Sequence, residues 1–135
     1  MSKNIVLITD DDEDDRYFLR QSIEGNIPNV TVLEAFNGED ALKMLAQANG
    51  EVDLVLLDMN MPGLTGLDVL DQIRSTSNLE NTPTVIISTS SEPDLVKKAY
   101  SKGVNSFIKK PFSVDRYNHI ANAIKVCFLD TPQDV

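Results

Sequence analysis

Short apolar runs rich in β-branched residues recur along the chain at 5–9 (IVLIT), 30–35 (VTVLEA), 52–58 (VDLVLLD), 84–89 (TVIIST) and 106–109 (SFIK). The first, third and fourth are nearly continuous rather than alternating, which is the pattern of a strand covered on both faces. The segments between them carry helical spacing. Leu42, Leu45 and Ala48 share one face, Leu67, Leu70 and Ile73 another, and Tyr117, Ile120, Ala121 and Ile124 give the clearest i, i+3, i+4, i+7 stripe. Turn residues fall between the two kinds of segment. Asn37-Gly38 and Asn49-Gly50 flank the second helix, Pro62-Gly63 breaks the chain after the third strand, Ser91-Glu92-Pro93 opens the fourth helix and Lys102-Gly103 closes it.

The pattern predicts (βα)₅. Strict alternation of strand and helix implies an α/β fold with a parallel, doubly wound sheet, right-handed crossovers and helices on both faces. Ligands of such sheets bind beyond the carboxyl ends of the strands, where the strand order reverses. A chain of 135 residues that is 41% apolar and 24% charged is read as one domain, over 1–128, with an ordinary core. Residues 129–135 (LDTPQDV) read as a fraying tail.

Composition narrows the partners. A net charge of −9 works against duplex DNA, whose phosphates are neutralised by Lys and Arg. No apolar run approaches membrane-spanning length, the start lacks a signal-peptide core, and Cys127 stands alone, so a cytoplasmic protein without nucleic-acid or membrane partners is expected. Proteins and small cations remain.

The first strand runs into six consecutive acids, Asp10 to Asp15. Two carboxylates about 4 Å apart repel by roughly 4 kcal/mol at an effective dielectric near 20, so something must offset the crowding. Placing every strand end on one rim gathers Asp10 and Asp11 from the first strand, Asp58 from the third, Ser88 and Thr89 from the fourth, and Lys109 and Lys110 from the fifth. Any one of these alone reads as a solvated loop-edge group; the set reads as a site. Two or three hard carboxylates suit Mg²⁺, with Mn²⁺ as the alternative ion, and a carboxylate held there is a nucleophile toward phosphorus. Lys110 would neutralise a phosphoryl oxygen and the Ser88 hydroxyl would bond another. Asp14 and Asp15 are read as first-turn acids favoured by the helix dipole, and Asp12 and Glu13 as solvated.

With DD after the first strand, LLDMNMPGLTGLD around the third strand end, VIIS ending the fourth and FIKKPF at the fifth, the chain resembles the receiver domain of two-component response regulators, in particular the single-domain chemotaxis type. The resemblance runs from about Ile5 to Cys127, and the spacings agree: Asp58 and Ser88 stand 30 positions apart, Ser88 and Lys110 22. It implies a flavodoxin-like sheet with strand order 2-1-3-4-5. It implies that Asp58 accepts a phosphoryl group from a phosphohistidine of a sensor kinase or phosphotransfer protein, in self-catalysed chemistry rather than enzymatic turnover. Asp11, Asp58 and the Asn60 backbone carbonyl would bind Mg²⁺ directly, with Asp10 acting through water. Ser88 and Phe107 fill the switch positions, Lys110 the lysine position, and Lys110-Pro111 resembles the family's cis peptide. Asn60 and Ser90 sit where the family tunes hydrolysis.

Two positions vary within that pattern. Thr89 stands where Ala or another small residue is usual, so it either narrows phosphoryl access or adds a hydrogen bond. Phe107 replaces the commoner Tyr, which predicts a switch by burial without a phenolic bond. The signal is expected to leave through the face of helix 4, strand 5 and helix 5, toward a protein target, with a second phosphorylated copy as a further candidate partner. His119, Met59 and Met61 are read as structural or packing residues, and the Tyr100 and Tyr117 rings as core or helix face.

Three rivals are weaker. An EF-hand register through Asp10, Asp12 and Asp14 places Asp15 at the sixth position and Gln21 at the twelfth, where Gly and Glu are needed. A haloacid-dehalogenase-like phosphatase would use Asp10 as nucleophile and leave Asp58 unexplained. A binding module without phosphorylation would leave the acid set without a purpose.

Overall fold

A computed structural model describes residues 4–129. Five parallel strands and five helices alternate: β1 (Asn4–Thr9), α1 (Glu13–Asn26), β2 (Val30–Ala35), α2 (Gly38–Ala48), β3 (Leu54–Asp58), α3 (Gly66–Ser75), β4 (Thr84–Ser88), α4 (Pro93–Ser101), β5 (Ser106–Lys109) and α5 (Val114–Ile124). A π-helical turn, Lys125–Leu129, continues α5. The strand order is β2-β1-β3-β4-β5, as the resemblance implies.

The continuous apolar runs have a direct cause. Successive side chains of a strand point to opposite faces, and here both faces are covered. Leu7, Val55, Leu57 and Ile86 face one core with Ala41, Leu45, Val69, Leu70 and Ile73 of α2 and α3. Val6, Ile8, Leu54, Leu56, Val85 and Ile87 face the other with Leu19 and Ile23 of α1 and the full α5 stripe, Tyr117, Ile120, Ala121 and Ile124. Every residue of β3 and β4 is buried, whereas the edge strands β2 and β5 are only partly covered. Burying one such aliphatic side chain contributes about 1.5–3 kcal/mol, so the three central strands hold most of the fold.

Helix starts follow local polar chemistry. Asn37 caps α2 by accepting from the Asp40 N–H at 2.8 Å, and Ser113 caps α5 by accepting from the Arg116 N–H at 3.2 Å. Thr65 and Asp68 exchange bonds in a capping box at α3. α4 has no side-chain cap and begins with Pro93. Asn49 closes α2 in the left-handed region at φ 51°, and Gly103 follows α4 at φ 96°.

Two expectations are corrected. The Lys110–Pro111 peptide is trans, like every peptide bond among the described residues. The two isomers of a bond before proline differ by only about 0.5–1 kcal/mol, so the resemblance alone did not decide between them. The expected tail does not begin at Leu129, which is buried against the α1–α5 core because the π turn carries it inward. Residues 130–135 lie outside the described residues.

Candidate functional site

The order of the sheet reverses at β1, which pairs with both β2 and β3. The crevice beyond its carboxyl end is therefore flanked by α1 on one face and the β3–α3 loop on the other. Asp10 directly follows β1, Asp58 ends β3, and Lys110 directly follows β5. Asp10, Asp11 and Asp58 each offer a carboxylate oxygen, and these oxygens all lie within 4.8 Å of one another. Asp10 and Asp58 are buried, at 5% and 6% exposure, while Asp11 is open to solvent.

Lys110 is the cation at the centre of these acids. Its Nζ lies 2.8 Å from Asp15 Oδ2, 3.0 Å from Asp10 Oδ2 and 3.3 Å from Asp58 Oδ1. Burial works to lower its pKa, but the bonds to Asp15 and Asp10 outweigh that and hold the ammonium above its ordinary range. Asp58 moves the other way. Burial first, and then the charge of Asp10, push its carboxyl up to about 6 despite the opposing pull of Lys110. Burial also raises Asp10, against the bond from the Asp12 N–H and the charge of Lys110. The site holds more negative charge than one ammonium neutralises. Hard oxygen donors with excess negative charge fit a divalent cation of the Mg²⁺ class.

The backbone around the acids is tightly fixed. The Asp12 N–H donates to Asp10 Oδ1 at 2.9 Å, and Asp12 Oδ1 in turn accepts from the N–H groups of Asp14 and Asp15, capping α1. The Arg16 guanidinium donates to the Asp10 carbonyl at 2.8 Å, pairs with Glu34, and lies 4.2 Å over the Phe36 ring. Behind Asp58, the Gly66 N–H donates to the Met59 carbonyl at 2.9 Å. A Cβ on Gly66 would stand 2.6 Å from the Asp58 carbonyl oxygen, so only glycine lets α3 start this close to the acid.

An open cleft of about 370 Å³ is lined by Asp11, Asp12, Asp15, Asp58, Asn60, Thr89 and Lys110. Asn60 and Thr89 thus reach the site as placed from the sequence. Ser88 does not line it. It is fully buried, and its Oγ accepts from the Ser90 N–H at 3.1 Å, while its carbonyl accepts from the Lys110 N–H at 2.7 Å. Phe107 is half-buried against the α2–α3–α4 core. Lys109 and His119 are exposed, and Met59 and Met61 are buried packing residues. Tyr100 is a helix-face residue whose hydroxyl accepts from the Phe107 N–H at 3.2 Å.

Sequence reasoning missed two members. Asp12 was read as solvated and is the cap of α1; the Asp-x-x-Asp spacing at 12–15 was the available signal. Asp15 was read as a helix-dipole acid and is the nearest partner of Lys110. No local signal finds it, because the two are 95 positions apart.

The response regulator receiver domain model matches residues 6–122. The chemotaxis protein CheY of Pseudomonas aeruginosa is 32% identical over 108 residues, covering 80% of this chain and 85% of that protein. CheY-3 of Vibrio cholerae is 35% identical over 114 residues, covering 84% and 85%. The transcriptional regulator NtrC of Escherichia coli is 33% identical over 115 residues, but the match spans only 23% of its length. Among solved structures, the phosphorylated cyanobacterial phytochrome response regulator RcpA superposes with a TM-score of 0.88 at 27% identity, covering 98% of each chain. A reversed sheet order, a rim of acids around one lysine and these matches agree: the chain belongs to the response regulator receiver family of two-component signalling.

Proposed function

We propose that the chain is a phosphoacceptor switch in which Asp58 takes a phosphoryl group from a phosphohistidine of a sensor kinase or phosphotransfer protein, with Mg²⁺ required. The observation that carries this reading is the convergence of the Asp10, Asp11 and Asp58 carboxylates, their oxygens within 4.8 Å of one another, with Lys110 Nζ 3.3 Å from Asp58 Oδ1. RcpA, similar over its whole length, has been seen phosphorylated.

Asp58 is favoured over Asp10 as nucleophile by its surroundings. Asp58 lines the cleft and Asp10 does not. Both Asp10 oxygens are already engaged, Oδ1 by the Asp12 N–H and Oδ2 by Lys110. The phosphatase rival, which needs Asp10 free, is disfavoured on the same ground. In the reaction an Asp58 oxygen forms a bond to phosphorus, the P–N bond breaks, and its electron pair returns to the donor imidazole. Lys110 pairs with a phosphoryl oxygen in place of the carboxylate. Asp10, Asp11, Asp58 and the Asn60 carbonyl would hold the divalent cation, which supplies neutralising charge to the phosphoryl group. The domain carries a signal and turns over no external substrate.

The added group brings roughly 1.5–2 negative charges. Ser88 can meet them only if the β4–α4 loop draws inward and its Oγ is turned from Ser90 toward the cleft. Phe107, held half-out in the unmodified form, then moves into the vacated space, and the α4–β5–α5 face changes shape for a protein target or a second copy. Thr89, which lines the cleft, sets how readily water reaches the acyl phosphate.

Incubation with a small phosphodonor and Mg²⁺ tests the chemistry by intact mass: wild type gains one phosphoryl group and Asp58→Asn gains none. Modification of Asp58→Asn to the wild-type extent would exclude Asp58. Ser88→Ala should retain phosphorylation but lose the Phe107 movement and the change in partner affinity.

A further inference from the structure

An ammonium has three donors and no acceptor. In this protein the Lys110 ammonium stands among three carboxylates, and the shortest contact, a hydrogen bond of 2.8 Å, goes to Asp15 rather than to Asp58 at 3.3 Å. Asp15 is not one of the three acids whose oxygens converge for a cation. It approaches Lys110 from α1, and its backbone N–H is fixed by the Asp12 cap at 3.1 Å. The first turn of α1 already carries Glu13 and Asp14 for the helix dipole, so Asp15 is surplus in that role.

A cation bound by Asp10, Asp11 and Asp58 would draw those carboxylates away from Lys110, and modification of Asp58 replaces its contact by a phosphoryl oxygen. Neither event relieves Asp15. We infer that Asp15 is a positioning residue that retains the Lys110 ammonium in the unmodified protein and competes for it with any anion arriving at Asp58. The inference rests on the receiver reading above and adds a threshold to it: the paired lysine must surrender part of an existing ion pair before it serves the phosphoryl group. The partial exposure of Asp15, 30%, leaves water to solvate its carboxylate when the lysine shifts, which keeps the exchange reversible.

The test titrates the whole chain with beryllofluoride, a phosphoryl mimic, at saturating Mg²⁺, reading occupancy by fluorine NMR. Asp15→Asn should bind the mimic roughly three- to tenfold more tightly than wild type, because a charge-assisted bond to the competitor is replaced by a neutral one. Asp15→Glu, which keeps the charge, should stay near wild type. Asp14→Asn removes a charge from the same first turn at an exposed position outside the cleft lining; it should change the affinity less than about twofold. The inference is overturned if Asp15→Asn binds no better than wild type, or if Asp14→Asn matches it, which would make the effect one of bulk charge. Failure of the wild type itself to take the mimic while still binding Mg²⁺ would overturn the receiver reading, and this inference with it.

Discussion

The two ends of the sheet handle charge in opposite ways. At the amino edge of β4, Arg74 donates to the Gly103 carbonyl at 2.9 Å, the Thr82 carbonyl at 2.8 Å and Asn105 Oδ1 at 2.9 Å. Asn105 passes the interaction on by accepting from the Thr84 N–H, and Asp53 likewise accepts from the Ile5 N–H at 2.8 Å. These charged groups terminate mainly on backbone atoms. At the carboxyl rim the charges face one another instead. Asp10, Asp15 and Asp58 share Lys110, and Asp11 stands beside them. Charge directed at backbone groups ties α3 to the starts of β4 and β5, whereas charge crowded against like charge leaves the rim with a negative excess that a divalent cation would offset.

The largest expected effect tests the rim. Lys110→Met leaves Asp10 and Asp58 buried without a cation and should cost about 3 kcal/mol in metal-free protein near neutral pH, measured by urea unfolding. Saturating Mg²⁺ should recover much of that loss; a midpoint unmoved by both changes would show that the acids do not strain the rim.

Arg74→Met probes the other end. Three charge-assisted bonds are lost, although Thr84 still donates to the Thr82 carbonyl and to Asn105 Oδ1, so a loss of about 2 kcal/mol is expected, the same with and without Mg²⁺. If Mg²⁺ rescued it, the two edges would not differ in kind.

The smallest effect has the opposite sign. Because the folded-state pKa of Asp58 is raised, to about 6, the folded chain binds a proton that the unfolded chain has released. The stability linked to that proton is fully present below the ordinary carboxylate pKa and is lost as pH rises through about 6. Asp58→Asn should therefore stabilise the metal-free protein at pH 7 by about 1–2 kcal/mol after solvent screening, and the gain should shrink toward pH 4. Thermal unfolding across that range, with Mg²⁺ withheld, measures it. A gain that grew on acidification would reverse the assignment.

Much of this architecture was legible before any coordinates. The nearly continuous apolar runs at 5–9, 52–58 and 84–89 read as strands covered on both faces, and the turn residues between the runs bounded the helices. Rim membership of Asp10, Asp58 and Lys110 followed from strand ends, since a parallel sheet puts every carboxyl end on the same side.

The division of labour among six consecutive acids was not legible. Chemically alike carboxylates differ only through the geometry of the strand end and the first helical turn. That geometry buries Asp10, exposes Asp11, bends Asp12 back as a cap and swings Asp15 toward a lysine far along the chain. Local patterning sets which elements form and which ends they share, because those depend on neighbouring residues. Partner choice among identical charged groups is a matter of distance and burial, and only the packed chain decides it.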